Sequence, residues 1–69
     1  MNNKILTKRE EEVFSLLVQN KTTKEIGALL GISEKTVRNH ISNSMQKLGV
    51  KGHAQAVVEL IKMGNITLQ

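Results

Sequence analysis

The chain has 69 residues and a formal net charge of +4, from ten Lys and Arg against six Asp and Glu. That length allows one small domain with a modest core. The absence of cysteine excludes disulfides and thiolate chemistry and, with only two histidines, argues against a structural zinc site. With no tryptophan or tyrosine and one phenylalanine, there is almost no platform for stacking unpaired bases. No apolar run approaches the roughly 20 residues that a bilayer span needs. The opening MNNKILTKREEE lacks the apolar stretch of a secretory leader, so a cytoplasmic protein is expected.

Thr7 with Glu10 three positions on is a capping box, and it predicts a first helix over residues 8–20. Val13, Leu16 and Leu17 share one face of it, widened by Phe14 and Val18. Glu10 points towards that apolar side. Its bond back to Thr7 accounts for this, and a salt bridge from a neighbouring helix would reinforce it. Glu10, Glu11 and Glu12 together suit the positive end of the helix dipole. Thr22 with Glu25 is a second capping box and predicts a helix over residues 23–30, with Ile26, Leu29 and Leu30 inward. Ser33 opens a third helix, residues 34–48, which aligns Val37, Ile41, Ser44, Met45 and Leu48. Glycines at 31, 49, 52 and 64 punctuate these patterns, and only Gly27 lies inside one. The fourth helix, residues 53–63, carries two apolar stripes. One is Ala54, Val57, Val58 and Ile61; the other is Ala56, Leu60 and Met63. Gln55, Glu59 and Lys62 hold a narrow polar arc. No segment alternates as a strand does, so the fold class is all-α.

Two features point to function. The first is TKEIGALL, GIS and the helix that follows. A short turn on Gly31 makes two helices cross steeply, and Gly27 sits where the crossing needs almost no side chain. This is the helix-turn-helix pattern, covering residues 23–42. The second is the outer side of the third helix: Lys35, Arg38, Asn39, Ser42, Asn43 and Gln46. A face meant only for water would interleave acids with bases at i,i+4. This one is cationic and hydrogen-bonding without an acid, as a major groove requires: Arg for guanine, Asn or Gln for adenine, Ser for several edges. Glu34 stands apart in the first turn, where it suits the dipole. From residue 13 onward there are seven basic and three acidic residues, consistent with a polyanionic partner.

Phosphate contacts are expected at the helix starts, where N–H groups and dipoles attract anions. These are Thr22, Thr23 and Lys24 on the second helix, and Ser33, Lys35 and Thr36 on the third. Plain capping explains the hydroxyls equally well, and both roles can hold at once. Lys47 and Lys51 add a general positive field. His40, at the edge of the apolar face, reads as a partly buried structural residue. Metal binding is remote, because Ser44 stands where a second ligand would. His53 has still less context. No paired carboxylates and no phosphate-binding glycine loop support an enzyme, and no cofactor is implied.

These residues resemble the LuxR-type DNA-binding domain, known also as the GerE or FixJ–NarL type. The carrying pieces are Leu6-Thr7-x-Arg9-Glu10, Lys24-Glu25-Ile26, Ile32-Ser33, Thr36-Val37-x-x-His40, Lys47-Leu48-Gly49-Val50 and Ala56-Val57. They span almost the whole chain, which is the match expected of a single domain over residues 1–69. The wording KTTKEI, ISEKTVRNHIS, MQKLGVKG and QAVVEL is most similar to the family's small stand-alone sporulation regulators. The resemblance implies four helices with the third in the major groove. It places base reading on Arg38, Asn39 and Ser42, with Lys35 close by. It also implies homodimers on two-fold DNA sites through the fourth helix, and regulation of late-sporulation genes with RNA polymerase. Family members usually carry arginine where His53 stands, which puts a contact there in doubt.

The sequence supports pairing separately, because a surface helix needs one apolar face and the fourth has two. A helix tucked deeply into its own domain is the alternative. With Ala56 and Val57 in the core by resemblance, Val58 and Ile61 are left for the dimer contact, with Lys62 at its rim. The expectation is therefore a dimeric DNA-binding transcription regulator without a membrane partner. Its competitors are a sigma-factor region-four-like module, which touches polymerase but normally ends near its recognition helix, and a protein-interaction module, which would show no salt-dependent DNA affinity.

Overall fold

The computed structural model describes residues 5–64. Within them the chain forms four helices and no strand: α1 (Lys8–Val18), α2 (Thr23–Leu30), α3 (Glu34–Leu48) and α4 (His53–Lys62).

Both expected capping boxes are present. The Thr7 hydroxyl accepts the Glu10 N–H at 3.1 Å, and the Thr7 N–H donates to Glu10 Oε1 at 2.9 Å. Thr22 and Glu25 repeat the arrangement at 3.1 and 2.8 Å. Ser33 caps α3 by accepting the Thr36 N–H at 3.0 Å. Each box satisfies two backbone donors that the first helical turn leaves unpaired.

The first helix stops two residues earlier than its pattern predicts. Asn20 adopts φ 68°, and its N–H reaches Leu17 O at 2.9 Å while Lys21 N–H reaches Leu16 O at 3.1 Å. This is a Schellman ending built on asparagine, which tolerates the left-handed region better than most side chains. Gly31 (φ 71°) ends α2 the same way, with Ile32 N–H bonded to Gly27 O at 3.0 Å. The fourth helix ends one residue short, with Met63 as its cap.

The third helix is the central element and packs against the other three. The buried core is Leu6, Val13, Phe14, Ile26, Val37, Ile41, Ala56 and Leu60. Leu16, Leu17, Val18, Leu30, Ile32, Met45, Leu48, Val50, Val57 and Ile61 pack partly buried around it. One expected core residue lies outside: Leu29 is 61% exposed. Met63, on the second apolar stripe of α4, is 42% exposed. On α2 the inward direction is turned towards Gly27, which is itself buried. Leu29, about 60° to the other side of Ile26 at about 100° per residue, is swung out by that rotation.

The buried carboxylate of Glu10 finds its partner in Lys47 of α3, Nζ to Oε1 at 2.7 Å. Lys47 therefore locks α1 to α3 instead of contributing a diffuse field. Burial alone would raise the Glu10 carboxyl. The Lys47 ammonium and the Thr7 N–H outweigh it and hold Glu10 below its ordinary range. Ser44 is fully buried and donates to His40 O at 2.7 Å, so its hydroxyl costs no unmet hydrogen bond.

Candidate nucleic-acid interface

The geometry of the α2–α3 corner follows from Gly27. A Cβ built there would lie 2.8 Å from the Ile32 carbonyl oxygen and 3.4 Å from the Glu34 nitrogen. Only a residue without a side chain lets the backbone after α2 pass so close. That approach sets the start of α2 beside the first turn of α3. The contact is direct: Thr23 Oγ1 donates to Glu34 Oε2 at 2.7 Å.

With Val37, Ile41 and Ser44 buried, α3 turns its other side outward. Lys35, Arg38, Asn39, Ser42, Asn43 and Gln46 are all exposed. The residues expected to read bases are thus exposed together on the side of α3 away from the core. His40 is half-buried at its margin, as its place on the helix predicts. A shallow depression of about 210 Å³ opens where Thr23, Arg38, Ile41, Ser42 and His53 meet. Helical periodicity says little of His53, because it reaches this site only through the tertiary packing of α4.

Glu34 departs from the simple picture. Besides its place at the helix dipole, its Oε2 accepts from Arg38 Nη2 at 2.7 Å, four residues on. The face does contain one i,i+4 ion pair, and its cation is the arginine expected to read guanine.

At the helix starts, the hydroxyls are all engaged in some way. Thr22 accepts from Glu25 N–H and uses its own N–H on the Glu25 carboxylate, a bond that holds Glu25 below its ordinary range. Ser33 Oγ and Thr36 Oγ1 lie 2.8 Å apart and share one hydroxyl proton. The Thr23 hydroxyl proton is taken by Glu34. The hydroxyl protons of Thr22 and of one member of the Ser33–Thr36 pair are not used in these bonds. The N–H groups of Thr23, Lys24, Glu34 and Lys35 have no carbonyl within their own helices to reach. The exposed ammonium groups of Lys24 and Lys35 flank them.

On α4, Ala54, Val58 and Lys62 are exposed along one edge, Val58 at 49%. Ile61 is only partly exposed, because it also packs against the core. Val50, Ala54, Gln55, Val58 and Glu59 line a groove of about 280 Å³. A further depression, between α1 and the end of α2, is bordered by Glu11 and Glu12 and so is unsuited to a polyanion. Among the described residues there is no cluster of metal-ligating side chains, and no helix is long and apolar enough to cross a membrane.

A two-helix corner closed over a buried glycine, with N-terminal N–H groups and an outward, hydrogen-bonding cationic helix, defines a helix-turn-helix module that binds DNA. The chain belongs to the luxR family of bacterial regulatory proteins, whose family profile matches residues 4–60. It is accordingly a DNA-binding transcription regulator and not an enzyme. It is similar to the spore germination protein GerE of Bacillus subtilis (strain 168), 75% identical over 64 residues, which cover 93% of this chain and 86% of that protein. It is 53% identical over 60 residues to the transcriptional regulatory protein DegU of Brevibacillus brevis, covering 87% of this chain but 25% of DegU. A solved structure of the transcription factor GerE superposes with a TM-score of 0.94 at 55% identity, covering 97% of this chain and all of that one.

Proposed function

We propose that this regulator controls late-sporulation genes in the mother cell, spore-coat genes among them, as a homodimer on two-fold DNA sites. The α3 helix lies in the major groove. Arg38 reads guanine, Asn39 and Asn43 read adenine edges, and Ser42 and Lys35 add hydrogen bonds. The N–H groups and lysines at the starts of α2 and α3 hold phosphates on either side, with Thr22, Thr23, Lys24, Ser33 and Thr36 contributing. The exposed edge of α4 pairs the subunits through Val58 and Ile61, with Lys62 at the rim. RNA polymerase is the protein partner through which bound regulator changes transcription, at sites on the nucleoid.

The carrying observation is the outward face of α3, six exposed residues without an acid among them, seated on a buried Val37–Ile41–Ser44 stripe. The sporulation role rests on the similarity to GerE of B. subtilis over nearly the full length of both chains. Gel-shift titration against duplexes selected from a random pool tests the DNA reading. Arg38→Ala should relax choice at one base pair and cost about 1–3 kcal/mol there, whereas Lys24→Ala should weaken all duplexes alike and lower the salt slope by about one. Unaltered discrimination by the Arg38 variant would remove the base-reading assignment.

A further inference from the structure

The contact between Glu34 and Arg38 raises the question of why an acid sits at the entrance of a surface meant for a polyanion. As a stabilising pair it has little value. Arg38 is 63% exposed and Glu34 38% exposed, and such pairs contribute little to folding. Nor does the dipole need it there, since any first-turn position would serve.

Its geometry is more particular. Glu34 Oε2 receives two hydrogen bonds at 2.7 Å, from Arg38 Nη2 along the helix and from Thr23 Oγ1 across the corner. The carboxylate is thereby anchored to α2, and the guanidinium is anchored to the carboxylate. Arg38 uses one N–H in this way. The guanidinium has five, so a two-pronged edge remains for a guanine. An unrestrained arginine at this position has flexible torsions and a full positive charge, and phosphate oxygens on either side of the groove would compete for it. Beside a carboxylate its pull towards phosphate is weakened, and its direction is fixed by a group that does not move with the side chain.

We infer that Glu34 is a positioning residue for specificity: held by Thr23, it keeps Arg38 aimed at a base and away from the phosphate backbone. This rests on the assignment of Arg38 as a base reader. It has an unusual consequence. Removing Glu34 takes a negative charge from the interface, so affinity for DNA of any sequence should rise while the ability to choose among sequences falls. A latch that merely holds Arg38 until DNA arrives predicts the reverse, because releasing it would strengthen the correct contact most.

The test uses the intact chain and an operator selected from random duplexes by the purified protein. Arg38→Ala first locates the base pair whose identity it reads. Glu34→Ala is then measured on the operator and on the duplex altered at that pair. The expected result is tighter binding to the altered duplex and a loss of discrimination at that pair of at least about fivefold, part of what one bidentate contact provides. Glu34→Gln retains an oxygen that can accept both bonds but not the charge, so it should keep more of the discrimination than Glu34→Ala and less than the parent. Thr23→Val should lose some of it at the same pair. In an Arg38→Ala background, Glu34→Ala should leave discrimination unchanged, and circular dichroism melts of all variants should stay close to the parent. Discrimination kept or improved by Glu34→Ala, with Arg38→Ala still relaxing that pair, would overturn the role of Glu34. If Arg38→Ala relaxes no pair, the base-reading assignment falls first and takes this role with it.

Discussion

Replacing Lys47 by methionine isolates one interaction on which the α1–α3 packing depends. The lysine stem is conserved in bulk, but the 2.7 Å contact to Glu10 is lost. The Glu10 side chain is 4% exposed, so its charge cannot turn to water, whereas Lys47 at 36% is partly hydrated already. A hydrogen bond to a charged group contributes about 1.5–3 kcal/mol, and the exposed end of this pair brings the expectation to about 2 kcal/mol. A domain of this size loses roughly 4–8 °C per kcal/mol, so the melting temperature should fall by on the order of 10 °C. The loss should also depend on pH. Glu10 is held below its ordinary value of about 4.5, so it contributes stability above the unfolded pKa that is lost as pH falls through the folded one. The penalty of Lys47→Met should therefore be full at neutral pH and shrink as the solution is acidified, as Glu10 becomes protonated in the variant and burial no longer opposes its charge. Glu10→Gln should cost less than Lys47→Met at neutral pH, because an amide oxygen still accepts from Thr7 and needs no counter-charge. Thermal melts by circular dichroism from pH 7 to pH 3 measure both. A penalty below about 0.5 kcal/mol at neutral pH, or one that does not change with acid, would refute this account of the pair.

Gly27→Val should cost at least about 2 kcal/mol, because the nearest obstacle to a side chain is the Ile32 carbonyl, a backbone atom with little freedom to move; an unchanged urea midpoint would show the corner to be looser than its geometry. Ser44→Ala should lie within about 0.5 kcal/mol of the parent or stabilise it, since the His40 carbonyl loses only a supplementary donor and alanine favours the helix. A loss of more than about 1 kcal/mol would assign that hydroxyl a network role. Val58→Glu should yield monomers in sedimentation equilibrium while the melting transition is retained. Ile61→Glu is less clean because Ile61 also packs on the core. A dimer that survives Val58→Glu would move the interface away from this edge.

Much of the fold could be read from side-chain chemistry alone, because its punctuation is local. Thr7, Thr22 and Ser33 announce helix starts within four residues of sequence, and Gly31 and Gly49 announce ends. The α1 end was misplaced because Asn20 makes the same left-handed turn without the glycine that signals it. Leu29 was misassigned because an eight-residue helix does not average out a rotation imposed by the glycine contact. Leu6 joins the core from outside any helix, so no periodicity marks it. The exposed polar side of α3 was legible because it is the complement of an apolar stripe on one long helix. What was not legible lies between elements: Lys47 as the partner of Glu10, Thr23 as the partner of Glu34, and His53 beside Arg38 and Ser42. These contacts depend on how helices cross, which no single helical wheel contains.

The central claim is that the outward side of α3 meets base edges in a duplex. Isotope-edited NMR of the folded protein, titrated with its selected operator and with an unrelated duplex, tests it residue by residue. The account predicts that side-chain signals of Arg38, Asn39 and Asn43 move with the operator and far less with the unrelated duplex, while the amides of Thr23 and Lys24 respond to both. Changes confined to the α1–α2 surface around Leu29, with Arg38 and its neighbours silent on the operator, would contradict it.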